Sequence, residues 1–127
     1  MSKGPPARIL IIAGSDSGGG AGIQADIKTV TMLGGHAMTA VTAITAQNTL
    51  GVDAVHMVPT QMVIDQISAV VSDIGVGAVK IGMIGNAATA HAVADCLAEL
   101  SCPIIFDPVM VATSGAVLAD ADSIAAF

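Results

Sequence analysis

The feature that most constrains this chain is a glycine-rich segment, residues 13–26, between a short apolar run and a helical pattern. The apolar run, residues 8–12, is rich in isoleucine and is typical of a buried strand. Beyond the glycines, apolar residues recur at helical spacing, at Ile23, Ile27, Val30 and Leu33. The glycines therefore mark the place where a strand leaves a sheet and a helix begins, which in open parallel sheets is where ligands bind.

Glycine suits such a place because it has no Cβ, so backbone N–H groups can approach a ligand closely. The first turn of the helix adds a partial positive charge. Asp26 falls one turn into the helix, where its carboxylate can reach back to a small molecule on the loop. The alternatives are a glycine-rich turn without a ligand, and an exposed acid that the helix dipole favours.

Two common glycine motifs do not fit this segment. Gly14 and Gly19 have the glycine spacing of a P-loop, but the lysine and the hydroxyl residue that must follow are absent. Gly20, Gly22 and Ala25 match a dinucleotide fingerprint in form. However, that match begins well after the strand has ended, and no acid follows about twenty residues later.

Composition excludes several classes of function. The net charge is −6 with only four lysines and arginines, which argues against nucleic acid as a partner. Residues 29–52 carry no charge, but threonines and amides interrupt them, so they do not predict a membrane span. Cys96 and Cys102 have no zinc or redox spacing and are interpreted as reduced core thiols of a cytosolic protein. His36, His56 and His91 are scattered and predict no metal cluster.

The order of elements along the chain is β-α-β-β-α-β-α-β with short connections, which predicts an α/β fold with parallel strands and right-handed crossovers. Thr60 and Asn86 are predicted to cap the second and third helices. Residues 1–7 are expected to be a disordered lead-in, and residues 8–127 to form part of one domain. A last helix is expected to start near Asp120 or Asp122, so the chain is expected to stop inside that domain.

Four segments, residues 13–29, 45–52, 80–83 and 107–115, closely resemble the motifs of hydroxymethylpyrimidine/phosphomethylpyrimidine kinases of thiamine biosynthesis. The resemblance is collinear from about Ile9 to the last residue. It implies a three-layer, ribokinase-like sandwich with a mainly parallel central sheet between helices. It also implies ATP-dependent phosphorylation of 4-amino-5-hydroxymethyl-2-methylpyrimidine at its alcohol, followed by phosphorylation of the monophosphate.

The resemblance implies a substrate site built from separate motifs. Gly14 and Asp26 would hold the hydroxymethyl end, and Gln47 would pair its side-chain amide with the aminopyrimidine edge. Met83 and Val109 would pack against the ring. Gln47 has an alternative role as a strand-end residue that satisfies loop backbone, and Met83 and Val109 are core residues by default.

Charged residues on other strands have two interpretations each. Asp107, at a strand end before Pro108, either binds Mg²⁺ through water or shapes the Asp-Pro turn. Lys80 is too charged for the interior of a buried strand, so it is expected to pair with a carboxylate or to face phosphates. Neither Cys96 nor Cys102 has the flanking glycines of the family's catalytic cysteine.

Members of the family are about twice as long as this chain, a normal length for one α/β domain. Their second half carries the catalytic cysteine and most of the ATP site, so no catalytic residue is expected here and the chain alone is expected to be inactive. The full-length enzyme is expected to be a cytoplasmic homodimer. The alternatives are a pyridoxal or pyridoxine kinase of the same fold, a non-catalytic pyrimidine-binding form, and a folding fragment that binds nothing.

Overall fold

The computed structural model describes residues 4–107. Within that range the elements are, in order, β1 (Arg8–Ser15), α1 (Gly22–Met32), β2 (His36–Gln47), β3 (Val52–Met57), α2 (Thr60–Asp73), β4 (Ala78–Ile81), α3 (Ala87–Leu97) and β5 (Ile104–Phe106). The predicted site residue Val109 and the predicted last helix lie outside the described residues, as does the start of the predicted lead-in. Residues 4–7 carry neither helix nor strand.

The five strands described form one sheet in the order β3-β2-β1-β4-β5. β1 pairs in parallel with β2 on one side and β4 on the other, and β5 continues the parallel part. Leu10, Ile11 and Ile12 are fully buried, as expected for a central parallel strand that is covered on both faces. The prediction of a mainly parallel α/β sheet is confirmed.

β3 departs from the parallel rule, since it runs antiparallel to β2. The two strands are joined by a tight turn, which allows only this direction of return. Asn48 closes the turn, because its side-chain oxygen accepts from the backbone N–H groups of Leu50, at 2.8 Å, and Gly51, at 3.2 Å. β3 thus forms an antiparallel edge on an otherwise parallel sheet.

The two faces of the sheet are covered by different helices. α2 and α3 pack on the face to which Leu10 and Ile12 point, and Val63 and Val93 belong to the same apolar core. α1 packs against β1 and β2 on the opposite face, where its Asp26 reaches β4. The chain therefore leaves β1 through α1 towards β2, and later returns on the other side of β1 to form β4.

Of the two predicted helix caps, one is confirmed and the other is wrong. The Asn86 cap is confirmed, since its side-chain oxygen accepts from Thr89 N at 2.8 Å. The predicted cap at Thr60 is wrong, because Pro59 holds the cap position and Thr60 is already helical. The Thr60 hydroxyl instead pairs with the Thr89 hydroxyl at 2.7 Å, which links α2 to α3. Among residues 4–107, no helix combines the length and apolarity needed to cross a bilayer.

Candidate functional site

Along the chain, β1 is followed by its neighbour β2 on one side, whereas β4 is followed by its neighbour β5 on the other side. The connections that leave the carboxyl ends of β1 and β4 therefore run in opposite directions and leave a crevice between them. In open α/β sheets this is where ligands bind. An open pocket with a cavity volume of about 100 Å³ lies there. It is lined by the end of β1, the glycine loop, the end of β2 and the end of β4: Ala13, Gly14, Ser15, Asp16, Ala21, Gly22, Thr45, Gln47, Lys80, Gly82 and Met83.

The glycine loop is organised around Asp16, which sequence analysis did not single out. Its carboxylate is buried, with 7% exposure. One oxygen accepts from Gly18 N at 2.7 Å, and the other accepts from Gly20 N at 3.0 Å and Ala21 N at 2.8 Å. These loop amides are therefore satisfied inside the protein, and the expectation that they approach a ligand does not hold for them. An aspartate followed by small residues is the local signal that could have indicated such a loop.

Gly22 fixes the start of α1 against the end of β1. It has a φ of +59°, and a Cβ built on it would lie 2.3 Å from the carbonyl oxygen of Gly14. Only glycine allows this approach. Gln24, in the first turn of α1, strengthens the junction, because its amide oxygen accepts from Asp16 N and its amide nitrogen donates to Ser15 Oγ, both at 2.8 Å.

The end of β2 is attached to the same loop. The Ser17 hydroxyl donates to the carbonyl of Gln47 at 2.6 Å and accepts from its N–H at 2.7 Å, so the backbone of Gln47 is held on both sides. Thr45, two residues earlier, has its hydroxyl oxygen 2.7 Å from Ser15 O and 3.1 Å from Oε1 of the Gln47 side chain. Both the backbone and the side-chain amide of Gln47 thus have partners in the site.

The end of β4 contributes a charge. Lys80 Nζ lies 2.8 Å from Asp26 Oδ2, and the two side chains are 25% and 22% exposed. The expectation that Lys80 pairs with a carboxylate is confirmed, and its partner is the acid predicted to hold substrate. Lys80 itself lines the pocket, whereas Asp26 is not among the residues that line it. An ion pair that is mostly withdrawn from water is screened less than a surface pair.

Gly14 and Met83 form one wall of the pocket. A Cβ on Gly14 would lie 2.7 Å from the terminal methyl of Met83, so the glycine leaves room for that side chain. Met83 is 8% exposed, and its carbonyl accepts from the buried Thr42 hydroxyl at 2.6 Å. Met83 is therefore a core residue whose methyl also borders the pocket.

The five predicted site residues within the described range fall into three groups. Gly14, Gln47 and Met83 come together in the pocket, and Asp26 reaches it through Lys80. Asp107 is exposed at the end of β5 and is not among the lining residues; its N–H donates to Ile81 O at 2.9 Å. Across residues 4–107, no three or more histidine, cysteine or acidic side chains are grouped as ligands of a metal ion.

Comparison with known protein families gives a match over most of the chain. A family model described as phosphomethylpyrimidine kinase matches residues 16–127. The hydroxymethylpyrimidine/phosphomethylpyrimidine kinase of Mycobacterium leprae is 54% identical over 112 residues, which cover 87% of this chain and 40% of that protein. The corresponding kinase of Rhizobium meliloti is 55% identical over 117 residues, covering 92% of this chain and 44% of that protein. The chain thus spans less than half the length of these curated relatives.

Solved structures show the same similarity. A phosphomethylpyrimidine kinase from Clostridium difficile superposes with a TM-score of 0.87 and 42% identity, over 94% of this chain and 52% of that one. A pyridoxal kinase from Staphylococcus aureus, in complex with AMP-PCP and pyridoxal, superposes with a TM-score of 0.77 and 35% identity, over 85% of this chain and 40% of that one. The described fold is therefore shared by kinases that act on two different vitamin-related rings.

Proposed function

The chain belongs to the phosphomethylpyrimidine kinase family, and on that basis we propose that it forms the pyrimidine-binding part of a kinase of thiamine biosynthesis. The reaction is the transfer of a phosphoryl group from ATP to 4-amino-5-hydroxymethyl-2-methylpyrimidine, and then to the monophosphate of that compound. The enzyme works in the cytoplasm, and its two free, partly buried cysteines suit a reducing compartment. The homodimer expected for the full-length enzyme stays a prediction.

The observation that carries this proposal is the pairing of an amide with an apolar wall in one small pocket. Gln47 offers a hydrogen-bond acceptor and a donor side by side, and an aminopyrimidine offers an amine next to a ring nitrogen. Met83 supplies apolar surface for the ring, and the missing side chain of Gly14 leaves the room that the Met83 methyl occupies at the pocket wall. Val109, proposed to complete the ring contact, lies outside the described residues.

The ion pair of Lys80 and Asp26 suits a substrate that is neutral in one step and anionic in the next. Lys80 presents a positive charge at the pocket wall, where the phosphate of the monophosphate substrate can be neutralised. Asp26 balances that charge when the neutral alcohol is bound. We therefore propose that Asp26 acts at the hydroxymethyl end of the substrate together with Lys80.

ATP is the proposed phosphoryl donor and Mg²⁺ the proposed metal. Mg²⁺ in phosphoryl-transfer sites is held by one or two carboxylates together with substrate phosphates and water. Asp107 fits that pattern, because its carboxylate is exposed at the carboxyl end of β5, the same end of the sheet as the pocket. When bound, the ion would neutralise charge on the transferred phosphoryl group.

Calorimetric titration of the protein with 4-amino-5-hydroxymethyl-2-methylpyrimidine tests the proposal. We expect saturable binding, and we expect Gln47→Ala to weaken it by about five- to thirtyfold, since hydrogen bonds worth about 1–2 kcal/mol are lost. Gln61→Ala is the matched control, because Gln61 is exposed on α2 and bonds only to Asp65 on the same helix among the described contacts. Equal binding by the parent and Gln47→Ala would contradict the role of Gln47. Tighter binding of pyridoxine than of the pyrimidine would favour the pyridoxal kinase alternative.

A further inference from the structure

The hydroxyl of Thr45 has more neighbours than it has protons. A threonine hydroxyl carries one hydrogen and two acceptor lone pairs. Its oxygen lies 2.7 Å from Ser15 O and 3.1 Å from the near atom of the Gln47 amide. Thr45 is 6% exposed, so these two neighbours rather than bulk water decide where its proton lies.

The proton must point to Ser15. The carbonyl oxygen of Ser15 can only accept, and 2.7 Å is the usual length of an O–H···O hydrogen bond. Two oxygens at this distance with no proton between them would repel each other. Thr45 therefore turns a lone pair, and not its hydrogen, towards Gln47.

An amide nitrogen is the atom that matches this lone pair. The oxygen and nitrogen of a glutamine amide exchange places when the group rotates by half a turn, and the hydrogen-bond network decides between the two orientations. A distance of 3.1 Å suits an N–H···O hydrogen bond, whereas an amide oxygen there would face a second acceptor. The hydrogen-bond network therefore favours the amide turned by half a rotation, with its nitrogen in the place of Oε1 next to Thr45 and its carbonyl oxygen at the far end.

We infer that Thr45 is a positioning residue that orients the Gln47 amide, so that Gln47 presents its carbonyl oxygen to the ligand at the end remote from Thr45. The inference rests on the proposed function for the identity of the ligand, but the amide orientation itself depends only on the protein. The ring edge that fits has a hydrogen-bond donor opposite the Gln47 oxygen and an acceptor next to that donor. In the 4-amino pyrimidine the amine is the donor and the adjacent ring nitrogen is the acceptor. In the 4-oxo form the carbonyl oxygen is an acceptor and the adjacent ring N–H is a donor, which is the reverse arrangement.

This arrangement makes Thr45 a determinant of specificity without contact with the reacting atoms. The 4-oxo analogue would place its carbonyl oxygen against the oxygen of Gln47, and a buried polar site rejects such a mismatch strongly. Without the Thr45 hydroxyl, the amide can rotate and accept either order. The selectivity for amine over oxo should then fall, although the pocket keeps its shape.

The test compares the parent with Thr45→Val, which keeps the shape but removes the hydroxyl, and with Thr45→Ser, which keeps the hydroxyl. Thr39→Val is the matched control on the same strand outside the pocket. The ratio of the dissociation constants for 5-hydroxymethyl-2-methylpyrimidin-4-one and for the 4-amino compound is measured by calorimetry. We expect Thr45→Val to lower this ratio at least tenfold, and Thr45→Ser and Thr39→Val to leave it within about twofold of the parent. An unchanged ratio in Thr45→Val overturns the inference while leaving the proposed function intact.

A second measurement needs no ligand. In ¹⁵N-labelled protein, one of the two side-chain amide protons of Gln47 should exchange with water more slowly than the other, and Thr45→Val should abolish the difference. If this protection is present but neither pyrimidine binds, the orientation is supported and the proposed function fails. If the two protons exchange alike in the parent, the orientation is wrong whatever the ligands do.

Discussion

Gly20, in the glycine loop, and Gly22, the first residue of α1, lie two residues apart, yet alanine should have opposite effects at the two positions. At Gly22, φ is +59°, and an alanine in the left-handed region costs about 1–2 kcal/mol. Its Cβ would also lie 2.3 Å from Gly14 O, whereas real Cβ atoms stay beyond 3.0 Å, so backbone must move by about 0.7 Å. Shifts of this kind in packed regions cost about 1–3 kcal/mol. Gly22→Ala should therefore lower the free energy of unfolding by about 2–5 kcal/mol.

Gly20 offers the matched control. A Cβ built there meets nothing closer than Asp16 Oδ2 at 3.9 Å, and its φ is outside the left-handed region. Gly20→Ala should accordingly be neutral or raise the free energy of unfolding by about 0.4–1 kcal/mol, because alanine reduces the freedom of the unfolded chain. The comparison separates the two features specific to Gly22, its positive φ and its contact with Gly14, from a general need for glycine in the loop.

Urea denaturation measures both variants. The chain has no tryptophan or tyrosine, so far-ultraviolet circular dichroism is the suitable signal. With a slope of about 2 kcal/mol per molar urea, the midpoints of the two variants should differ by about 1–3 M. A loss below about 1 kcal/mol in Gly22→Ala, or an equal loss in Gly20→Ala, would refute the steric argument.

Two further predictions concern charged and titratable groups. Asp16→Asn should lower the free energy of unfolding by about 1–3 kcal/mol, because the new amide nitrogen must face a backbone N–H from which the carboxylate oxygen accepted a hydrogen bond. The same substitution at the exposed Asp53 should change the free energy of unfolding by less than about 0.5 kcal/mol. Equal effects at the two positions would contradict the proposed role of Asp16. Burial, together with the carboxylates of Glu99 and Asp95, raises the pKa of the Cys96 thiol. The rate of Cys96 alkylation by iodoacetamide should therefore rise with pH through a midpoint above that of an ordinary thiol, and Glu99→Gln should lower that midpoint. A midpoint unmoved by Glu99→Gln would exclude the contribution of Glu99.

Local patterns in the sequence predicted most of the fold that the structure describes. The isoleucine-rich run of residues 8–12 indicated β1, and the helical spacing of Ile23, Ile27, Val30 and Leu33 indicated α1, because these signals depend on neighbours along the chain. The antiparallel direction of β3 and the true start of α2 were not predicted. The direction of β3 follows from the tight turn at Asn48, which returns the chain alongside β2, whereas the Thr60 hydroxyl is engaged by a tertiary contact with Thr89.

The resemblance to the kinase family assigned Gly14, Gln47 and Met83 to the site. The structure brings them together because they lie at or just after the carboxyl ends of adjacent strands, which meet at one edge of the sheet. A carboxylate partner for Lys80 was expected, but only the packing of α1 against the sheet identifies it as Asp26. Asp16 followed by small residues is a local signal for such a loop, but it does not decide whether the loop amides bind a ligand or this aspartate. That difference depends on side-chain direction, which the sequence does not encode locally.

The central position of β1 also affects the order in which the protein can assemble during synthesis. Arg8 pairs with His36, so one edge of β1 is covered as soon as β2 has been made. Ile9 pairs with Ala78 on the other edge, which stays open until β4 leaves the ribosome. A nascent chain stalled between β3 and β4 carries an apolar strand with an unpaired edge, which favours aggregation. The pocket, which needs both neighbours of β1, forms only when this exposed stage has passed.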